Sequence, residues 1–174
     1  MPVLIGGRKP VIAKIRAKKK LGQGFEGTAY EVEATAGKGE RKRKISLVEK
    51  RFKSSLFRRD LGNLRNPEAQ FRIMGEISGL NRQKKLGLHI LPTIRLRKRW
   101  LRKPALIITN LDGIPYKELE GKQILQFYAD FVRQQEILFN EGYYACSDAF
   151  MPVLNKKTDK VEAYIFDFGS IVSQ

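Results

Sequence analysis

The chain has a single cysteine, Cys146, and a single histidine, His89, among its 174 residues. One cysteine excludes an intramolecular disulfide framework and a cysteine-built zinc site. One histidine excludes metal sites made from two histidines and leaves any Ser/His/Asp hydrolase dependent on His89 alone. No stretch approaches the roughly 20 apolar residues that a membrane-spanning helix needs. The opening Met1-Pro-Val-Leu-Ile-Gly-Gly7 is too short for a signal-peptide core and runs into charge. Internal repeats and low-complexity linkers are absent as well. The expectation is a cytoplasmic protein without a membrane partner.

Positive charge is abundant: 34 Lys and Arg stand against 18 Asp and Glu, a net of +16. A hydrophobic content of 42% with 10% aromatics suffices for a packed core and argues against disorder. The charge is uneven, with 28 basic and 8 acidic side chains in residues 1–104 against 6 and 10 in residues 105–174. Such an excess calls for a polyanionic partner and leaves the fold open.

Patterning predicts strands and turns in the first half. Lys20 to Thr35 gives two short extended segments around a glycine-rich turn, and Ile45 to Phe52 gives a third strand. A helix is expected from Pro67 to about Leu86: Asn66 suits the N-cap, Pro67 the first position, and Phe71, Met74, Ile77 and Leu80 have helical spacing. Gly87 is expected to end it. Ile90 to Trp100 and Ala105 to Asn110 read as a hairpin. Gly121 and Gly142 bracket a long helix whose apolar face is read as Ile124, Phe127, Tyr128, Phe131, Val132, Leu138 and Phe139. An irregular stretch from Tyr143 to Asn155 and a short strand, Val161 to Phe166, complete the order.

Gly22, Gly24 and Gly27 stand in the spacing G-x-G-x-x-G, followed by the strand-like Thr28-Ala-Tyr-Glu-Val-Glu33 rather than by a helix. A glycine turn between antiparallel strands lets backbone N–H groups lie over nucleotide phosphates, and it also serves as an ordinary hairpin. Lys50, on the next strand, can neutralise phosphate charge. Glu76, in the following helix, is placed to pair with Lys50 or to stand as a solvated helix charge. Asp167-Phe-Gly169 ends a strand, where its carboxylate is a natural magnesium ligand. Asp148 precedes it by 19 residues, directly after the long helix, where a base orienting an attacking hydroxyl would sit.

Taken in order from Leu21 to Gly169, these motifs resemble the protein-kinase-like fold. The resemblance implies an α+β architecture: an antiparallel five-stranded N-lobe with one helix over residues 1–109 and a truncated C-lobe over 110–174. It further implies ATP and Mg2+ as cofactors. Gly22, Gly24 and Gly27 would cover the phosphates, Val48 would line the adenine pocket, Lys50 would hold phosphates against Glu76, and Asn110 and Leu111 would form the hinge. Asp148 would be the catalytic aspartate and Asp167 the metal ligand. The sequence departs from the family at Cys146-Ser147, which replaces the usual His-Arg. Phe150 stands where a lysine is usual. Val153 stands at the second metal-binding position, a role that then falls to Asn155 by a two-residue shift. The activation segment and peptide-binding helices of protein kinases have no counterpart in these residues.

A substrate would therefore be held by the basic lobe. The candidate RNA-binding residues are Lys18, Lys19 and Lys20, then Arg41, Lys42 and Arg43, then Arg58 and Arg59, and finally Arg95, Arg97, Arg99, Trp100 and Arg102. A short, very basic member of this fold most resembles the minimal archaeal RNA kinases, which phosphorylate a ribose 2′-hydroxyl of a uridine in the tRNA variable loop. Small Rio and Bud32-type protein kinases, or a pseudokinase RNA-binding module, are the alternatives. Trp100 reads as a packing residue before a stacking one, His89 as structural, and Cys146 as a small buried residue rather than a nucleophile.

Overall fold

The structure, a computed structural model, describes residues 12–23, 27–36, 43–52, 66–91, 93–99, 102–109 and 113–174. It is mixed α+β, with mostly antiparallel strands and two α-helices. The chain divides into two compact units, Met1–Lys53 with Ile94–Asn110, and Ser54–Thr93 with Leu111–Gln174.

The first unit holds β1 (Ile12–Gln23), β2 (Gly27–Ala36), β3 (Arg43–Phe52) and β5 (Arg102–Thr109), with β4 (Thr93–Arg99) as the second edge of a sheet ordered β1-β2-β3-β5-β4. Strand β1 begins well before Lys20, and its pairing with β2 is interrupted by three register shifts. Alternation along β3 sends Leu47 and Glu49 to one face and Val48 and Lys50 to the other. Val32, Ala34, Leu47 and Ile107 form a buried cluster on the Leu47 face. Glu49, 1% exposed, shares that face, and Oε2 accepts from Arg51 Nε at 2.8 Å and lies 2.6 Å from Nη2. The Arg51 guanidinium in turn lies 4.2 Å from the centre of the Tyr30 ring.

In the second unit, α1 (Pro67–Lys84) starts as its cap predicts. Asn66 Oδ1 accepts from the amides of Glu68 and Ala69 at 2.9 and 3.2 Å, with Pro67 in the first turn. The helix ends before Gly87, at a left-handed Lys85 (φ 53°). Asn81 then grips Leu88 through both its amide and its carbonyl, at 3.0 and 2.9 Å. By packing, α1 belongs with the C-terminal elements: Ile73, Met74 and Ile77 share one core with Phe150, Ile165, Phe168 and Ile171.

Helix α2 (Gly121–Asn140) lies between the expected glycines, but its predicted apolar face is split. Phe127 and Leu138 are buried, whereas Ile124, Tyr128, Val132 and Phe139 are exposed. Gln134 takes a core-facing position instead and is fully buried. The stretch read as irregular is ordered by distant pairing. Strand β6 (Tyr143–Ala145) pairs with β9 (Ile171–Ser173), and β7 (Phe150–Asn155) pairs with β8 (Lys160–Ile165). Among the described residues no helix is long and apolar enough to cross a membrane.

Candidate functional site

Two carboxylate-bearing turns meet in the second unit. Asp148 is exposed on the turn Ser147–Ala149 that links β6 to β7. Asp167 caps the turn Phe168–Ser170 that links β8 to β9, its Oδ1 accepting from the Gly169 amide at 3.0 Å. The Ala149 carbonyl accepts from the amides of Phe166 and Asp167 at 2.9 and 3.3 Å, and Cys146 donates its amide to the Ser170 carbonyl at 2.9 Å. Backbone hydrogen bonds thus set the two turns side by side, independently of their side chains.

The strand that delivers Asp167 is itself clamped. Asp130 and Gln134, four apart on α2, hold both backbone groups of Ala163: Asp130 Oδ2 accepts its amide at 2.8 Å, and Gln134 Nε2 donates to its carbonyl at 2.7 Å. Gln134 Oε1 also accepts the His89 amide at 3.0 Å, and His89 Nδ1 lies 3.1 Å from Asp130 Oδ2. Burial works to raise the Asp130 pKa, but the hydrogen bonds from His89, Ala163, Arg133 and Gln134 outweigh it, and the carboxyl is held well below the usual carboxylate range. The His89 ring stacks on Tyr164 at 5.3 Å. Sequence reasoning missed this network. Its signal was a polar pair spaced i, i+4 among Phe127, Phe131 and Leu138, since buried polar groups require partners.

Asn155 does not join Asp167. It sits opposite Lys160 at the closed end of the β7–β8 hairpin, whereas Phe150 and Ile165, beside the two carboxylate turns, pair at the open end. Five strand residues separate the ends, roughly 16 Å at 3.3 Å per residue. Asn155 Nδ2 donates to Glu162 Oε1 at 2.7 Å and its Oδ1 accepts the Lys157 amide at 3.0 Å, so the side chain closes the hairpin turn. Val153, at the position it was to replace, is buried. Glu76 lies on the exposed flank of α1, one residue off the Ile73–Ile77 stripe, with Arg72 at 3.8 Å and the Tyr143 hydroxyl at 3.5 Å. Cys146 is exposed, not buried as expected. Phe150 is fully buried and packs edge-on against Phe131.

In the first unit, Lys50 and Val48 are half-buried on one face of β3, with the Lys50 ammonium 5.4 Å from the Phe52 ring centre. The two described glycines of the G-x-G-x-x-G differ. A Cβ on Gly27 would collide with the Arg51 carbonyl on the adjacent strand, whereas one on Gly22 would meet nothing within 4 Å. Strand packing explains Gly27 and leaves Gly22 unexplained by the protein itself. Lys18 and Lys44 flank Glu33 at 3.0 and 3.5 Å. The hydrogen bond between Lys18 and Glu33 raises the pKa of the former and lowers that of the latter. Lys19 is exposed, as is Lys20, which hydrogen-bonds Gln23. Arg43 lies on β3, Arg95, Arg97 and Arg99 on the edge strand β4, and Arg102 on β5. Gly24, Arg41, Lys42, Arg58, Arg59, Trp100, Asn110 and Leu111 lie outside the described residues.

No family model matches the chain, and no curated protein matches it.

Proposed function

We propose that the protein is a cytoplasmic, ATP-dependent RNA kinase of protein-kinase-like fold that phosphorylates a ribose 2′-hydroxyl of tRNA, a uridine of the variable loop. The observation that carries the reading is the joining of the Asp148 and Asp167 turns through Ala149 and through the Cys146–Ser170 hydrogen bond. Two carboxylates from separate strand ends are what phosphoryl transfer requires: one to orient the acceptor hydroxyl and one to hold a metal.

In this reading Asp148 accepts or orients the proton of the ribose hydroxyl. Gly22, whose Cα faces open space, permits close backbone approach of phosphates. Lys50 offsets phosphate charge, and Val48, on the same face of β3, contacts the adenine. Asp167 fits a magnesium ion, because Mg2+ takes one or two carboxylates and completes its shell with phosphates and water. Bound ATP and magnesium would supply the phosphoryl group and offset its charge. The basic side chains of residues 1–104 hold the RNA.

A second reading, a non-catalytic RNA-binding module, draws on the capture of Asn155 by Glu162 and Lys157, which leaves the second metal position without an amide. Incubation with γ-labelled ATP and total tRNA separates the two. Labelled tRNA is expected from the wild type and none from Asp148→Asn, which retains RNA binding. Undiminished labelling by the variant, or label on protein alone, contradicts the proposal.

A further inference from the structure

Two large aromatic side chains stand exposed in the second unit without an evident packing reason. Tyr116, on the turn Tyr116–Glu118, is 51% exposed and Tyr128, on α2, is 54% exposed. Both rings rest edge-on against the buried Phe127, with centroids at 5.3 and 5.5 Å. The Tyr116 hydroxyl donates to the Phe150 carbonyl at 2.6 Å, two residues beyond Asp148. Burial, then Tyr128, then Asp148 push the Tyr116 phenol above its ordinary value, so the three side chains share one locality.

We infer that Tyr116 and Tyr128 form a stacking platform for an unpaired base of the nucleic-acid acceptor, beside Asp148. Unpaired bases are held by stacking on aromatic rings, at little conformational cost when the rings are already fixed. Phe127 fixes both rings from below, and the Phe150 carbonyl fixes Tyr116 a second time. The net charge of +16 favours a polyanion as the molecule that brings a planar ring here. A base stacked on this platform would carry its own ribose toward Asp148. The identity of the ligand rests on the RNA-kinase reading, while the platform itself is tested without transfer.

The test is equilibrium binding of a fluorescent single-stranded RNA 12-mer and of an RNA duplex, at one salt concentration and without ATP, to the wild type, Tyr128→Ala, Tyr128→Phe and Tyr116→Phe. Tyr128→Ala should weaken single-strand binding about tenfold, leave duplex binding unchanged, and keep the wild-type melting temperature. Both phenylalanine variants retain the ring and should bind the single strand within about twofold of the wild type. Equal single-strand affinity of Tyr128→Ala and wild type overturns the platform. So does an equal loss for both RNAs, or an altered sedimentation of the protein that marks a protein interface instead. A failure of transfer in the wild type would strike the kinase reading alone, because these affinities are measured without it.

Discussion

The amide of Cys146 donates to the carbonyl of Ser170 at 2.9 Å, and this bond joins the turn carrying Asp148 to the turn carrying Asp167. Because the link is made by backbone, replacing either carboxylate by its amide should leave the turns in place. Asp148→Asn and Asp167→Asn are therefore expected to melt within a few degrees of the wild type while losing phosphoryl transfer, as circular dichroism and labelled-ATP assays would read. A large loss of stability in Asp148→Asn would mean that its carboxylate has a structural role.

The two glycines that bound the turn after β1 make a discriminating pair. Gly22→Ala has room for its methyl group and should keep wild-type stability while weakening nucleotide binding. Gly27→Ala drives a methyl group into the Arg51 carbonyl and should cost about 1–3 kcal/mol of stability. Denaturant unfolding and nucleotide titration of both variants check this. Unaltered nucleotide affinity in Gly22→Ala would leave that glycine without a phosphate-binding role.

Asp130 has a pKa lowered by folding, so its contribution to stability is present above the unfolded carboxylate value near 4 and is lost as pH falls below it. Asp130→Asn lacks that contribution. The gap in urea midpoint between wild type and variant should be widest at neutral pH and narrow steadily below about pH 4. A gap that widens on acidification would contradict the sign.

Glu49 is buried at 1% exposure, and Arg51 balances its charge from the same face of β3. Arg51→Ala takes away that guanidinium and should cost about 3–5 kcal/mol. Replacing Glu49 and Arg51 together by apolar residues should cost less than Arg51→Ala alone, since no buried charge then remains. Denaturant midpoints at neutral pH measure both.

Local signals in the sequence located the elements well where the structure is local. Asn66-Pro67 began α1, and Gly121 and Gly142 bracketed α2, because caps and glycines act within a single turn. Pairings between distant residues were not legible. Tyr143–Ala145 is only three residues long, and it becomes a strand through Ile171–Ser173, nearly thirty residues away, so its own pattern carries no period. The same holds for the site. Asp148 and Asp167 were readable as strand-end and loop carboxylates. The assignment of Asn155 failed because the hairpin turn, not proximity in sequence, decides where that amide points. The apolar face of α2 was misjudged because Asp130 and Gln134 take inward positions to hold Ala163, leaving Val132 and Phe139 outside.

The central claim is that Asp148 directs a phosphoryl group to an RNA ribose. Its most direct test is mass analysis of nucleosides from tRNA treated with ATP, magnesium and either wild type or Asp148→Asn, then digested with nuclease. The account predicts one nucleoside carrying an additional ribose phosphate after wild-type treatment, and none after treatment with the variant. The same product from both proteins, or from neither while both bind the tRNA, would contradict it.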